Sequence, residues 1–230
     1  MPLTTVLSER IRPERLRRYE ELVQRLAKKA VQKKDAWQWT AHQTAFGEVG
    51  TIHYVSASSD FAAIGSRGLP DELVRRVMGE KEGNELLEQA SECVLSRQQI
   101  IGTERPDLSY PPEQRDRRYP AAIVTILRAR PGGQEGCEEV IRKVAEAIPK
   151  VGDPARLVAY QTLVGDLMQY WTVRPLQSLG ELDRQLLPAD LLSKAFGAAE
   201  GGLIFRTGLE AIAEVRREIA FYREDLSNPS

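Results

Sequence analysis

The sequence predicts an α+β fold written twice, and three observations carry that prediction. The first is an internal repeat at a constant offset of 118 residues. IRPERLRRYEELVQRLA (11–27) aligns with ARPGGQEGCEEVIRKVA (129–145), AHQTAFGEV (41–49) with AYQTLVGDL (159–167), and LPDELVRRVMGEKEG (69–83) with LPADLLSKAFGAAEG (187–201). Without a single gap, 27 of the 112 aligned positions are identical, against roughly 6% expected from composition alone. The second is a β-branched and aliphatic run followed by a helical stripe at the start of each copy. The third is a pair of strand patterns around a glycine turn, at the same place in each copy. Together they predict two tandem ferredoxin-like units, residues 1–112 and 119–230, joined by a charged linker at 113–118. A sheet covered by helices on one face leaves an apolar second face, and two such faces can meet as an intramolecular pseudo-dimeric α/β barrel.

The elements follow in order. Residues 3–11 and 121–129 read as strands because β-branched and aliphatic residues dominate them. Pro13 and Pro131 then stand at a good first-turn position for a helix. Leu16, Tyr19, Leu22, Val23, Leu26 and Ala30 form an apolar stripe in the first copy, and Val140, Ile141, Val144 and Ile148 repeat it in the second. Strands are expected at 37–45 and 50–56, and at 155–163 and 168–174, with Gly47 and Gly165 in the connecting turns. Helices are expected at 58–65, from Pro70 to near Gly79, and at about 83–93. The closing strands are 95–103 and 213–221, although IAEVRREIAFY also suits a helix. Asp107-Leu108-Ser109 and Asp225-Leu226-Ser227 read as a turn or cap after the last strand.

Composition excludes several classes. The chain is 42% hydrophobic and 28% charged with a net charge of −1, which fits a packed core and offers no basic field for nucleic acid or anionic lipid. Two cysteines build neither a disulfide framework nor a zinc knuckle and suit a reducing compartment. The first residues lack the layout of a signal peptide, and no apolar run approaches the roughly 18 residues of a spanning helix. A cytoplasmic protein without membrane or nucleic-acid partners is therefore expected. Association into a homo-oligomer is also expected, because the final strands leave edges to cover.

The element order, the duplication and the hairpin pieces Trp37–Val55 and Arg156–Val173 resemble the dimeric α/β-barrel superfamily. That group includes NIPSNAP-like proteins and antibiotic-biosynthesis-type monooxygenases, and the fused two-unit form is similar to the chlorite dismutase group. The resemblance covers both units. It implies a pseudo-dimer made by one chain, with a small-molecule pocket between sheet and helices in each unit. The chemistries it implies are diverse: cofactor-free oxygenation of polycyclic phenols, haem degradation, lactone isomerisation, and members with no known reaction.

Candidate site residues cluster on the hairpins. With the turn centred on Gly47-Glu48, His42 and His53 pair across the strands, with Cβ atoms roughly 5 Å apart. Adjacent imidazoles could shuttle a proton, contact a ligand, bind a metal or simply pack. With Thr40, Thr44 and Thr51 as their polar neighbours and no carboxylate at the same depth, a metal is not expected. Tyr160 and Trp171 hold the same positions in the second copy, as a packing pair or as ligand contacts. A haem would want a histidine on a helix, and both histidines fall in strands. No G-x-S-x-G, G-x-G-x-x-G or Walker loop occurs. Gln43-Thr44 and Gln161-Thr162 are identical in both copies. Gln43 shares a strand face with Trp37, Trp39 and Ala41, so it either orients a phenol or quinone or closes the hairpin end. In the second copy the tryptophans give way to Ala155 and Leu157, which restricts a tryptophan-lined pocket to the first. Arg10/Arg12 and Arg128/Arg130 either clamp a carboxylate or sit in solvent against a surface acid.

The function expected is binding of a small apolar or aromatic metabolite, as a cofactor-independent monooxygenase-like or related enzyme. His42 or His53 would act as base, beside Trp39, Gln43 and Tyr54. The alternative is a non-catalytic binding or structural module of the same fold, which the scarcity of histidine, cysteine and clustered carboxylates favours.

Overall fold

A computed structural model describes residues 2–111 and 119–229; the linker expected at 113–118 lies outside the described residues. Eight strands and seven helices run in the order β1 (Leu3–Ile11), α1 (Leu16–Lys33), β2 (Trp39–Phe46), β3 (Thr51–Ser58), α2 (Phe61–Arg67), α3 (Pro70–Met78), α4 (Glu80–Cys93) and β4 (Val94–Glu104). The second set is β5 (Ala121–Ala129), α5 (Gln134–Val151), β6 (Val158–Val164), β7 (Gln169–Leu176), α6 (Pro188–Phe196), α7 (Ala198–Ala211) and β8 (Ile212–Asn228). The strand order is closed, β1-β3-β2-β8-β5-β7-β6-β4. The chain therefore has the pseudo-dimeric α/β-barrel fold that the duplicated sequence predicts.

The chain divides into two compact units, one formed by Met1–Ile101 with Phe221–Ser230 and the other by Gly102–Ala220. Strands β4 and β8 each run from one unit into the other. In the first unit, Tyr19, Leu22, Val23, Leu26, Ala27 and Ala30 of α1 form the buried stripe. They pack in one core with Leu73, Val74 and Val77 of α3, Leu86 of α4, and Trp39, Ala41 and Ile52 of the sheet. The second unit repeats this with Val140, Ile141 and Ile148 of α5 and Leu191 and Leu192 of α6.

Local chemistry shifts several expected boundaries. The strand after α1 starts at Trp39 because the Asp35 carboxylate accepts a hydrogen bond from the Trp37 amide at 2.9 Å, holding a bend. Asp153 does the same to Ala155 at 2.8 Å, and β6 starts at Val158. The helix expected at 58–65 starts at Phe61, because Asp60 caps it by accepting from the Ala63 amide, while Ser58 still belongs to β3. Pro13 opens a 3-10 turn ahead of α1. Pro131 does not open a helix: Gly132 turns the chain with φ 79° and α5 begins at Gln134. The last segment is strand, not helix. β8 continues to Asn228, so Asp225-Leu226-Ser227 lies within a strand and not in a turn, whereas Pro106–Leu108 forms a 3-10 turn as expected. Gly47 and Gly165 both have positive φ, 112° and 123°, in the hairpin turns.

Candidate functional site

The first unit holds a cavity of about 100 Å³ between its sheet and helices α1, α3 and α4. Strand alternation chooses its wall. In β1 the odd positions Thr5, Leu7 and Glu9 face the helices, joined by Trp39 of β2 and Tyr54 and Ser56 of β3. Helix α1 adds Tyr19, Val23 and Leu26; α3 and α4 add Leu73, Val74 and Leu86. Arg97 and Gln99 of β4 and Asp71 of α3 also line it and are part-exposed or exposed, so they mark its mouth. The indole N–H groups of Trp37 and Trp39 are spent elsewhere, on Ser56 Oγ at 3.4 Å and on the Leu226 carbonyl at 2.8 Å. Both rings are thereby fixed as apolar wall.

At one side of this apolar space runs a chain of polar groups. Arg97 donates from Nε to Glu9 Oε1 at 2.6 Å. The Tyr19 hydroxyl donates to Glu9 Oε2, and the Tyr54 and Tyr19 hydroxyls lie 2.9 Å apart. Arg97 Nη1 also approaches Asp71 at 3.6 Å. Glu9 is only 4% exposed, and a buried carboxylate persists because a guanidinium and a phenol satisfy it. Burial pushes the Tyr54 phenol up, and the neighbouring Glu9 charge adds to this. Tyr19 is raised by the same causes, burial first. Both phenols therefore remain protonated at neutral pH and can donate a hydrogen bond.

The expected site residues divide between the two faces of the sheet. Trp39 and Tyr54 line the cavity. His42 and His53 pair across β2 and β3 as expected, but they project from the face away from the helices and do not reach the cavity. A strand turns successive side chains to opposite faces, so a residue one position from Tyr54 cannot share its side. His53 is held by Ser8 Oγ at 2.8 Å and by Thr44 Oγ1 at 3.1 Å. His42 pairs with Thr40 Oγ1 at 3.1 Å and lies 5.7 Å from the Tyr222 ring. Burial, with His53 close by, lowers the His42 pKa to about 4. In the second unit Tyr160 and Trp171 pair across β6 and β7 and stack, with centroids 5.3 Å apart and planes 9° from parallel. A histidine-ligated haem does not fit the first unit's cavity, because neither of the chain's two histidines faces it.

Gln43 and Gln161 belong to a clamp found in both units. Arg223 binds Asp225 at 2.8 Å, Glu20 at 2.6 Å and the Gln43 side-chain oxygen. Arg105 binds Asp107, Glu138 and Gln161, each at 2.8 Å. Ser227 Oγ accepts from the Ala41 amide at 2.9 Å and Ser109 Oγ from the Ala159 amide at 3.0 Å. The Asp-Leu-Ser repeat and the glutamines thus tie strand ends to the α1 or α5 helix. Arg10 and Arg128 pair with Glu48 and Asp166 of the hairpin turns at 3.1 and 2.6 Å.

The residues that sequence reasoning passed over are Glu9 and Arg97, together with Tyr19, which was read as core. The repeat carries the signal that finds them. Their partners at +118 are Leu127, Val215 and Cys137, Tyr54 is matched by Thr172, and Trp39 by Leu157. The polar chain and the tryptophan wall exist in the first copy alone.

No protein-family model matches the chain, and no curated protein is similar to it at a significant level. Solved structures share its fold. An anthrone oxidase-like protein superposes with a TM-score of 0.61 at 14% identity, covering 100% of this chain and 94% of that one. A "putative monooxygenase" from Lactobacillus acidophilus NCFM gives 0.56 at 6% identity, covering 99% and 97%. A chlorite dismutase variant from Candidatus Nitrospira defluvii gives 0.58 at 10% identity, covering 98% and 94%. These likenesses establish the dimeric α/β-barrel, ferredoxin-like fold of this chain.

Proposed function

We propose that the chain binds a small apolar or aromatic molecule bearing a hydroxyl or an acidic C–H in the first unit's cavity, and acts on it as a cofactor-independent monooxygenase-like enzyme. The observation that carries this reading is the Tyr54–Tyr19–Glu9–Arg97 chain on the edge of an aromatic-walled space. A cavity of about 100 Å³ is below the roughly 150 Å³ that holds a benzene ring, so a ring enters with its edge at the Asp71–Arg97 mouth. Tyr54 meets the ligand's acidic group and Glu9 is the terminal proton acceptor, reached through Tyr19. Removal of the proton leaves an electron-rich anion for dioxygen. When a methylene becomes a carbonyl in this way, one oxygen atom is retained, the other leaves as water, and the substrate supplies all the electrons. The names borne by fold neighbours, anthrone oxidase-like and monooxygenase, agree with this chemistry. His42 and His53 have no part in it, because they face the other side of the sheet.

Two tryptophans line the cavity and the third, Trp171, lies in the second unit. A Trp171→Phe variant therefore reports the cavity by fluorescence. Saturable quenching by a hydroxylated aromatic such as 1-naphthol is expected, with oxygen uptake for an oxidisable analogue such as anthrone. Glu9→Gln should abolish the uptake and keep the quenching. Quenching with no uptake from any oxidisable ring favours a binding module, and absence of quenching refutes the site.

No helix among the described residues is long and apolar enough to cross a membrane. A cytoplasmic location is part of the same proposal and is supported by two buried free thiols, Cys93 and Cys137. Self-association is supported by apolar side chains exposed in equivalent hairpins, Phe46 and Val49 in one and Val164 and Leu167 in the other.

A further inference from the structure

The second unit lacks the polar chain of the first but carries a different charged arrangement on the same side of its sheet. Arg174 on β7 pairs in register with Ile123 of β5, and Thr172 pairs with Thr125. Leu127, on the same face of β5, packs in the core with α5 and α6, so this is the helix-covered face. Arg174 is 8% exposed. Arg217 on β8 reaches the same face, donating from Nε to Thr125 Oγ1 at 3.3 Å.

The compensation of these two cations is thin. The nearest carboxylate to Arg174 is Asp153, whose Oδ1 lies 3.8 Å from Nη2, beyond hydrogen-bond distance. That Oδ1 already accepts from the Ala155 amide at 2.8 Å, and Oδ2 is buried without a partner. What lies against the Arg174 guanidinium is a neutral group, the Gln185 amide, which turns its oxygen towards it. Among the described residues Arg217 meets Thr125 and no carboxylate. Burial disfavours the charged form of Arg174, with Asp153 opposing this and the Arg217 charge adding to it, and desolvation acts in the same direction on Arg217. Guanidiniums nevertheless remain charged, so this face holds two cations facing one distant carboxylate.

The first unit serves as an internal control. Its equivalents of Arg174 and Arg217 are Ser56 and Gln99, and Asp35, the equivalent of Asp153, is held by both Nε and Nη2 of Arg76 at 3.0 Å. The scaffold therefore stands without an arginine pair, and in the second unit the buried Arg174, with Arg217 beside it, calls for a compensating anion. We propose that Arg174 and Arg217 form a binding site for the carboxylate of a small organic acid. The planar fork of Arg174 would take it bidentately, with Arg217 closing from the exposed side.

The test is isothermal titration calorimetry of the full chain with sodium benzoate, with benzyl alcohol as a neutral analogue of similar shape and sodium phosphate as a free oxyanion. Saturable binding of one benzoate per chain is expected, with none of benzyl alcohol at these arginines. Arg174→Met and Arg217→Met should each weaken benzoate by roughly tenfold or more, while Arg128→Met, whose guanidinium pairs with Asp166 of the hairpin turn, leaves it unchanged. Arg217 lies at an exposed position, so its variant carries the test if Arg174→Met does not fold. Unsaturable benzoate binding, binding that Arg217→Met leaves intact, loss of binding in Arg128→Met, or tighter binding of phosphate than of benzoate would each overturn the proposal.

Discussion

Glu9 is a carboxylate behind an apolar wall, and Leu127 stands in its place in the other copy. The pair separates function from stability. Removing a partner from a buried charge pair is costly, whereas replacing the charge by a well-packed apolar group is often neutral or stabilising. Arg97 is 44% exposed at its side chain and can return to water. Glu9→Leu is therefore expected to abolish ligand-dependent oxygen uptake while changing stability by no more than about 1–2 kcal/mol, read by urea unfolding. A loss well beyond that would make Glu9 a structural residue. His42 gives a second prediction, because burial and the neighbouring His53 lower its pKa from the ordinary 6.5 to about 4. A base depressed in the fold is neutral there, while the unfolded chain takes up the proton below pH 6.5. Its contribution is thus present above 6.5 and lost as pH falls from 6.5 towards 4, up to about 3 kcal/mol. His42→Tyr, which copies Tyr160, should flatten this part of the stability profile relative to wild type; an unchanged profile would mean that His42 titrates freely. At this scale the sequence was half legible. The 42–53 pairing followed from the turn, but which face looked at the helices did not, because alternation gives two faces without naming the covered one. Glu9 was hidden inside a run read as apolar.

Among the elements, the repeat is visible down to single hydrogen bonds. The Arg12 amide donates to the Cys93 carbonyl and Arg130 to Ala211, both at 2.8 Å; the Ile11 and Ala129 amides both donate at 2.9 Å, to Gly50 and Met168. Glycine is kept at 83 and 201 for a reason of space. A Cβ at Gly83 would lie 2.8 Å from the Arg75 Cα, and one at Gly201 would lie 2.4 Å from the Leu192 carbonyl oxygen. These contacts set how closely α4 approaches α3, and α7 approaches α6. In an open helix Gly→Ala stabilises by roughly 1 kcal/mol, so the sign of the change is the test. Gly83→Ala and Gly201→Ala are each expected to destabilise by about 1–3 kcal/mol, measured by thermal or urea unfolding. A gain in melting temperature would show that the helices part without cost. Strand and helix identity was legible from periodicity in both copies except in the closing segment 213–221, whose pattern also suits a helix. Boundaries were not, because they depend on side-chain caps such as Asp35, Asp60 and Asp153, which compete locally with the backbone. The length of β8 was missed because Arg223-Glu-Asp looks like surface loop until its partners Glu20 and Gln43 are known.

For the whole molecule, the repeat and the compact unit are different divisions of the chain. We infer that 1–112 and 119–230 are the duplicated segments, while the first compact unit is completed by Phe221–Ser230 and the second includes Gly102–Tyr110. The exchanged ends matter energetically. In the first unit Leu226 is fully buried, contributing about 2 kcal/mol by area. Its carbonyl accepts from Trp39, Ser227 accepts from Ala41, Asn228 Nδ2 donates to the Trp37 carbonyl at 2.8 Å, and Arg223 clamps Glu20. A chain ending at residue 112 loses every one of these contacts. It retains Arg105, Asp107, Leu108 and Ser109, which make the equivalent clamp in the second unit and stand where Arg223, Asp225, Leu226 and Ser227 stand in the repeat. Two copies of 1–112 can thus complete one another by exchanging these ends, as a symmetric dimer. The fragment alone is expected to sediment as a folded dimer, and to unfold cooperatively with a midpoint that rises with concentration. Arg105→Ala with Ser109→Ala should shift it towards unfolded monomer. A folded, concentration-independent monomer of 1–112 would show that the unit closes without borrowed strand ends.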